Sequence, residues 1–143
     1  MNSRAIAVLV LTDVTQKGKS LTVALEQRLS VASDAKALVS ELSYGVLRWH
    51  NRLEAILNCL LKKPFKAKDS DINNLTLVGL YQLIYMRVPD HAAIYETVSA
   101  VKELKKTWAK SVINGVLRAY QRDFVAINAS VDLNPVARYS HPA

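Results

Sequence analysis

The chain has 143 residues, half of them hydrophobic, and carries a formal net charge of +7, one cysteine, four glycines and four prolines. That length and apolar content give one domain with a real core and exclude a disordered chain, while so few Gly and Pro argue against a turn-rich β protein. One cysteine excludes an internal disulfide or a Cys-rich zinc site and fits a reducing, cytoplasmic setting, and the positive charge points to anionic partners, nucleic acid before membrane.

Ser3 is placed to cap a first helix that runs to about Gln16, with Ile6, Leu9, Val10 and Val14 at helical spacing and Gly18 as its stop. The apolar run from Ala5 to Leu11 is too short to span a bilayer and lacks a small-residue cleavage site, so it reads as core helix and not as signal peptide. Ser20 caps a short second helix with Leu21, Ala24, Leu25 and Leu29 inward. Ser33-Asp34 opens a third, in which Leu38, Val39, Leu42, Val46, Trp49, Leu53, Ile56, Leu57 and Leu60 keep a helical period to about Leu61, with Pro64 beyond it. One unbroken helix is expected there. Lys62, Lys63, Lys66 and Lys68 crowd the following loop, where a solvated charge run is the plainer reading and an RNA contact the alternative.

Asp69 or Ser70 caps a fourth helix that ends near Arg87. Its apolar residues Leu75, Leu77, Val78, Leu80, Leu83 and Ile84 surround nearly the whole circumference, which predicts a buried central helix. After Val88-Pro89-Asp90, a fifth helix from His91 to Lys106 aligns Ile94, Val98 and Val101, and its end is basic. Thr107 then stands as the N-cap of a sixth, long helix. Ile113, Val116, Leu117, Tyr120, Phe124 and Ile127 make its apolar stripe, beside a mostly basic stripe of Lys110, Asn114, Arg118 and Gln121. The pattern fades after Asn128. Gly45, Gly79 and Gly115 all fall inside helices and read as three close helix crossings.

Catalytic chemistry is not legible in these residues. Cys59 has apolar neighbours and reads as an inert core thiol. His50, His91 and His141 lack metal-ligand spacing, and neither a Gly-rich phosphate loop nor a βαβ alternation is present. What remains is a basic surface. Lys102, Lys105, Lys106, Lys110, Arg118 and Arg122 face only Glu103 across residues 102–122, with Arg4 a further contributor. Lysines and arginines neutralise phosphates, and Asn114 offers hydrogen bonds to sugar or base edges. The candidate RNA-binding set is therefore Arg4, Lys102, Lys105, Lys106, Lys110, Asn114, Arg118 and Arg122; no catalytic, cofactor-binding or metal residue is assigned. Trp108 and Tyr120 could stack on bases, although the core is the plainer place for both.

The stretch Val88-Pro89-Asp90-His91-Ala92-Ala93-Ile94-Tyr95-Glu96-Thr97-Val98, followed by Val112-Ile113-Asn114-Gly115-Val116-Leu117-Arg118, resembles the NusB family. More closely, it resembles the NusB-like N-terminal domain of the bacterial ribosomal RNA small-subunit methyltransferases B, the Sun or Fmu proteins. Residues Val78-Gly79-Leu80-Tyr81-Gln82-Leu83 and Leu42-Ser43-Tyr44-Gly45-Val46-Leu47-Arg48 fit the same domain, and Arg138-Tyr139-Ser140-His141-Pro142 looks like the junction to the rest of such an enzyme. The resemblance implies an all-α, NusB-like bundle of about six helices over residues 1–129 that binds ribosomal RNA. Residues 130–143 would begin a linker to a missing C-terminal methyltransferase domain.

In that family the missing domain uses S-adenosylmethionine to methylate C5 of a cytosine through cysteine motifs, none of which Cys59 matches. This segment is then expected to hold no cofactor and to be non-catalytic by itself. The alternative the resemblance offers is a transcription antitermination factor or protein adaptor that binds a ribosomal protein and single-stranded RNA. The Arg-rich N-terminal segment of NusB is reduced here to Arg4. No DNA or membrane partner is expected, and the expected location is cytoplasmic.

Overall fold

A computed structural model describes residues 2–29 and 34–133. Ser33, the Asn134-Pro135 turn and the 138–142 junction fall outside those residues. The described residues form seven α-helices and no strand: α1 (Ser3–Lys17), α2 (Leu21–Arg28), α3 (Lys36–Arg48), α4 (His50–Leu60), α5 (Ser70–Tyr85), α6 (Asp90–Ser99) and α7 (Lys110–Asp132). None is long and apolar enough to cross a membrane.

Helix α5 is the axis of the bundle. Ile72 and every residue from Asn74 to Gln82 are buried, and the helix packs against α1, α3, α4, α6 and α7. Burying each such Leu, Ile or Val side chain contributes about 1.5–3 kcal/mol, so enclosure on all sides dominates the stability of this helix. Its buried polar residues are satisfied locally. Thr76 Oγ1 donates to the Ile72 carbonyl, and Gln82 Nε2 donates to Thr97 Oγ1 at 2.8 Å and to the Val78 carbonyl at 3.1 Å.

Two of the three expected glycine crossings exist. A Cβ on Gly79 would lie 2.8 Å from a Leu117 methyl and 3.1 Å from Thr97 Cγ2, and one on Gly45 would run into the Tyr81 ring. Gly115 is the exception: it is exposed, and nothing lies within 4 Å of where its Cβ would be. The difference is one of direction: Gly45 and Gly79 face neighbouring helices, and Gly115 faces solvent.

The expected third helix is two helices. Trp49 leaves helical geometry (φ −105°, ψ 19°), which frees α4 to lie against α7 while α3 stays on α1. Its ring stacks on Tyr85 at 4.9 Å, and Arg48 sits over it at 5.6 Å. The apolar period passes through the break, so the sequence pattern does not register it. On α4, Cys59 is exposed and not in the core.

Of the other helix ends, the Gly18 stop and the Ser20 cap are as expected and the rest differ in detail. Asn2, one residue before Ser3, caps α1 by accepting from the Arg4 N–H at 2.7 Å. Gly18 ends that helix in the left-handed conformation (φ 69°), and Ser20 caps α2 through the Val23 N–H. The fifth helix stops at Ser99, and tight turns at Ala100–Lys102 and Thr107–Ala109 lead to α7, so Thr107 does not cap it. Helix α7 runs on past Asn128 to Asp132 with a kink at Asp123 (φ −113°, ψ 19°), beyond which Phe124 is half-exposed. Arg52 fastens this last part to α4, donating to Asp132 at 2.7 Å and Asn128 at 3.1 Å. At the opposite end, buried Asp13 takes a two-pronged hydrogen bond from Arg28 at 2.8 and 3.0 Å, pinning α2 to α1.

Gly115→Ala is expected to stabilise the domain by about 0.5–1 kcal/mol, because it removes backbone entropy from an open helix position. Gly79→Ala is expected to cost about 1–3 kcal/mol by overpacking Leu117. Melting midpoints of the two variants check both signs. The hydrogen bonds from Arg28 hold the Asp13 carboxyl below its ordinary 3.8, against burial, which pushes it up. Its contribution is therefore present above pH 3.8 and lost as pH falls through the depressed value. Asp13→Asn should be less stable by about 1–3 kcal/mol at pH 7. Denaturant titrations across pH should find that gap closing in acid.

Candidate nucleic-acid interface

Helix α6 and the first two turns of α7 diverge around the 100–109 turns and leave an open groove of about 870 Å³ between them. Its floor is apolar, made by Ile94, Val98 and Val101. Its rim carries Lys102 from the turn and Lys110, Ser111, Asn114 and Arg118 from α7. Residues 110, 114 and 118 recur every four positions, so they line up along one side of the helix. Tyr95 on α6, 69 % exposed, and Trp108, 52 % exposed, add aromatic surface to the same groove. Trp108 is thus a rim residue and not a core residue, whereas Tyr120 is buried, its hydroxyl accepting from Asn128 at 2.9 Å.

Local geometry sets these side chains. Lys105 takes the left-handed conformation (φ 59°), uncommon outside glycine, and this reverses the chain between Lys102 and Trp108. Arg118 Nε donates to Asn114 Oδ1 at 3.2 Å, which fixes the guanidinium along the groove and leaves its other N–H groups for an acceptor. Glu103, the acid of this segment, is occupied: both of its oxygens accept from the Asn2 backbone N–H, at 2.8 and 2.9 Å.

Of the eight residues expected from the sequence, Lys102, Lys110, Asn114 and Arg118 meet in the groove, and Lys105 is exposed on the turn beside it. Three do not join them. Arg4 turns inward, its Nε and Nη2 donating to Gln82 Oε1 at 3.1 and 2.9 Å. Burial lowers the pKa of its guanidinium, with Glu96 acting in the opposite sense. Lys106 is taken by Asp71 at 2.8 Å and Asp69 at 3.1 Å. Burial pulls its ammonium pKa down, but the hydrogen bonds to the two carboxylates outweigh this and leave it raised. Arg122 lies outside the groove lining and pairs with Asp123 at 3.1 Å. Gln121, the last of the expected polar stripe, donates to Asp90 instead. Tyr95 and Ser111 were not expected from the sequence; the signal for Tyr95 is its place beside Ile94, just off the apolar line of α6.

The arrangement provides cations for phosphates, an amide for polar edges, and flat apolar surface for bases. It provides no nucleophile with an adjacent base, and the described residues hold no group of three His, Cys, Asp or Glu able to take a metal ion.

The NusB family profile matches residues 1–122. The chain belongs to the NusB family. It is also similar to proteins named ribosomal RNA small subunit methyltransferase B. The relative from Pseudomonas syringae pv. tomato is 46 % identical over 143 residues, covering 99 % of this chain and 32 % of the relative. Those from Vibrio vulnificus and Escherichia coli O1:K1 are 43 % and 39 % identical, covering 34 % and 33 % of the relatives and 100 % and 99 % of this chain. The NusB-family chain therefore spans about a third of the length of these relatives.

The two tryptophans of the chain differ in setting, Trp49 partly buried and Trp108 exposed, which makes the rim position of Trp108 measurable. Acrylamide is expected to quench the emission of Trp49→Phe, which reports Trp108, more steeply than that of Trp108→Phe, which reports the stacked Trp49. Equal quenching would contradict an exposed Trp108.

Proposed function

We propose that this domain is the RNA-recognition module of a longer methyltransferase, and that the α6–α7 groove grips small-subunit ribosomal RNA so that a cytosine reaches a catalytic domain elsewhere in the chain. The observation that carries the reading is the convergence of Lys102, Lys110, Asn114 and Arg118 with Tyr95 and Trp108 over one apolar floor. Family membership and the names of the longer relatives support it. Phosphate pairing supplies affinity, and stacking with amide hydrogen bonding discriminates unpaired, splayed nucleotides from regular duplex.

The methyl donor that the resemblance implies, S-adenosylmethionine, is assigned to the part of the longer relatives that this chain does not span. The glycines here do not fit it: Gly18 ends a helix, Gly45 and Gly79 are packed against side chains, and Gly115 lies mid-helix. None makes the strand-to-helix turn that cradles such a cofactor. The work of this domain is to bind and orient RNA, in the cytoplasm.

Charge reversal at Lys102 or Lys110 is expected to weaken binding of a single-stranded oligoribonucleotide and to lower the slope of log affinity on log salt by about 0.7. Trp108→Ala is expected to cost about 1–3 kcal/mol of binding with little change in that slope. Fluorescence anisotropy at several salt concentrations separates the two effects. Affinity no greater than that of an unrelated basic protein would overturn the reading.

The second reading is the antitermination-type adaptor with a ribosomal-protein partner. Tyr44 on α3, 57 % exposed, favours it, since a large aromatic outside the groove has no role in gripping RNA there. Capture of a ribosomal protein after nuclease treatment, lost in Tyr44→Ala, would select this reading over the first.

A further inference from the structure

We propose that the lysine-rich loop between α4 and α5 is a second half of the polyanion site, fastened to the groove by Lys106, so that one RNA segment runs across both. This rests on the RNA-binding reading above and extends it to a surface that lies outside the groove.

Lys106 Nζ donates to the Lys68 carbonyl at 2.9 Å as well as to Asp71 at 2.8 Å and Asp69 at 3.1 Å. One side chain from the α6–α7 turns thus holds the end of the α4–α5 loop and the start of α5. The contact brings together two segments that are 35 or more residues apart and that carry most of their charge as lysine. Residues 62–71 hold Lys62, Lys63, Lys66 and Lys68, all exposed; residues 102–110 hold Lys102, Lys105, Lys106 and Lys110.

The acids of both segments are already engaged. Asp69 and Asp71 are held by Lys106, and Glu103 by the Asn2 backbone N–H. Among the described residues, the other seven lysines have no carboxylate partner. Lysines on a merely solvated loop keep apart, because crowding like charges destabilises the compact state. Here the fold does the reverse and ties two lysine-bearing segments together with a lysine, which offsets one of the two aspartate charges and leaves eight lysines against three acids over residues 62–71 and 102–110. A polyanion lying across both loops offsets that repulsion.

Beside this loop a pocket of about 260 Å³, lined by Phe65, Lys66, His50 and Asn73, gives a base somewhere to sit next to the phosphate that Lys66 would hold. Glu54, which also lines it, is engaged by Asn73 at 2.7 Å and lies 3.6 Å from His50.

The test is the salt dependence of affinity of the intact chain for a 20-nucleotide oligouridine, taking that length as on the order of one single-strand site. Lys66→Ala/Lys68→Ala removes two exposed side chains and should lower the slope by about 1.4, at roughly 0.7 per lost single-strand phosphate contact. Lys19→Ala/Lys36→Ala, an equal charge change elsewhere, should leave it unaltered. Lys106→Met should weaken binding by exposing two carboxylates, and adding Asp69→Asn/Asp71→Asn should restore it. A loop variant that keeps the parental slope, while Lys102→Ala/Lys110→Ala lowers it, would overturn the extension and leave the groove reading standing. An equal drop in the control pair would overturn a localised track. No salt-dependent binding by the parent would overturn both readings.

Discussion

Helix α5 has no face left for water between Asn74 and Gln82, and the positions of the other helices follow from that. A rod that is apolar all round must be enclosed, and here five helices enclose it. The enclosure is close because Gly79 admits Leu117 of α7 and Gly45 of α3 admits the Tyr81 ring. Pressing α7 onto α5 at its Leu117 turn fixes the side chains one position on and one turn back, Arg118 and Asn114, at the edge of the core. The same packing holds α6 on α5 through the buried Thr97–Gln82 hydrogen bond. The groove is the space left where α6 and α7, both seated on α5, part from each other.

Polar contacts then decide which cations face outward. Arg4 is drawn to Gln82, within reach of the hydrogen bond that seats α6. Lys106 binds the two acids at the start of α5, and Glu103 binds the N-terminal backbone. In each case a charged group joins segments far apart in the chain. The remaining lysines around the 102–110 turns are left without acids, so the electrostatic character of the surface is set by which residues the fold consumes as much as by composition.

Much of the architecture is legible in the sequence. The all-α class, the central helix, the Gly18 stop, the Ser20 cap and the burial of Ile113, Val116, Leu117 and Tyr120 all follow from local pattern. The misses have a common cause. The break at Trp49, the exposure of Cys59 and the open setting of Gly115 depend on which way a helix faces, which a continuous apolar period does not record. Of the candidate site, the α7 stripe of Lys110, Asn114 and Arg118 is visible because it has helical spacing. The removal of Arg4 and Lys106 is not visible, because their partners lie 78 and 35 residues away. Trp108 reads as core by residue type and is turned out by the short turn before α7.

The central claim is that this NusB-family domain meets RNA along the edge where α6, α7 and the intervening turns part. Backbone amide resonances followed during titration with a short single-stranded oligoribonucleotide test it directly. The account predicts shifts concentrated at Tyr95, Lys102, Trp108, Lys110, Asn114 and Arg118, with little change around Tyr44 on α3. Shifts centred on Tyr44 and α3, with the groove unmoved, would contradict it.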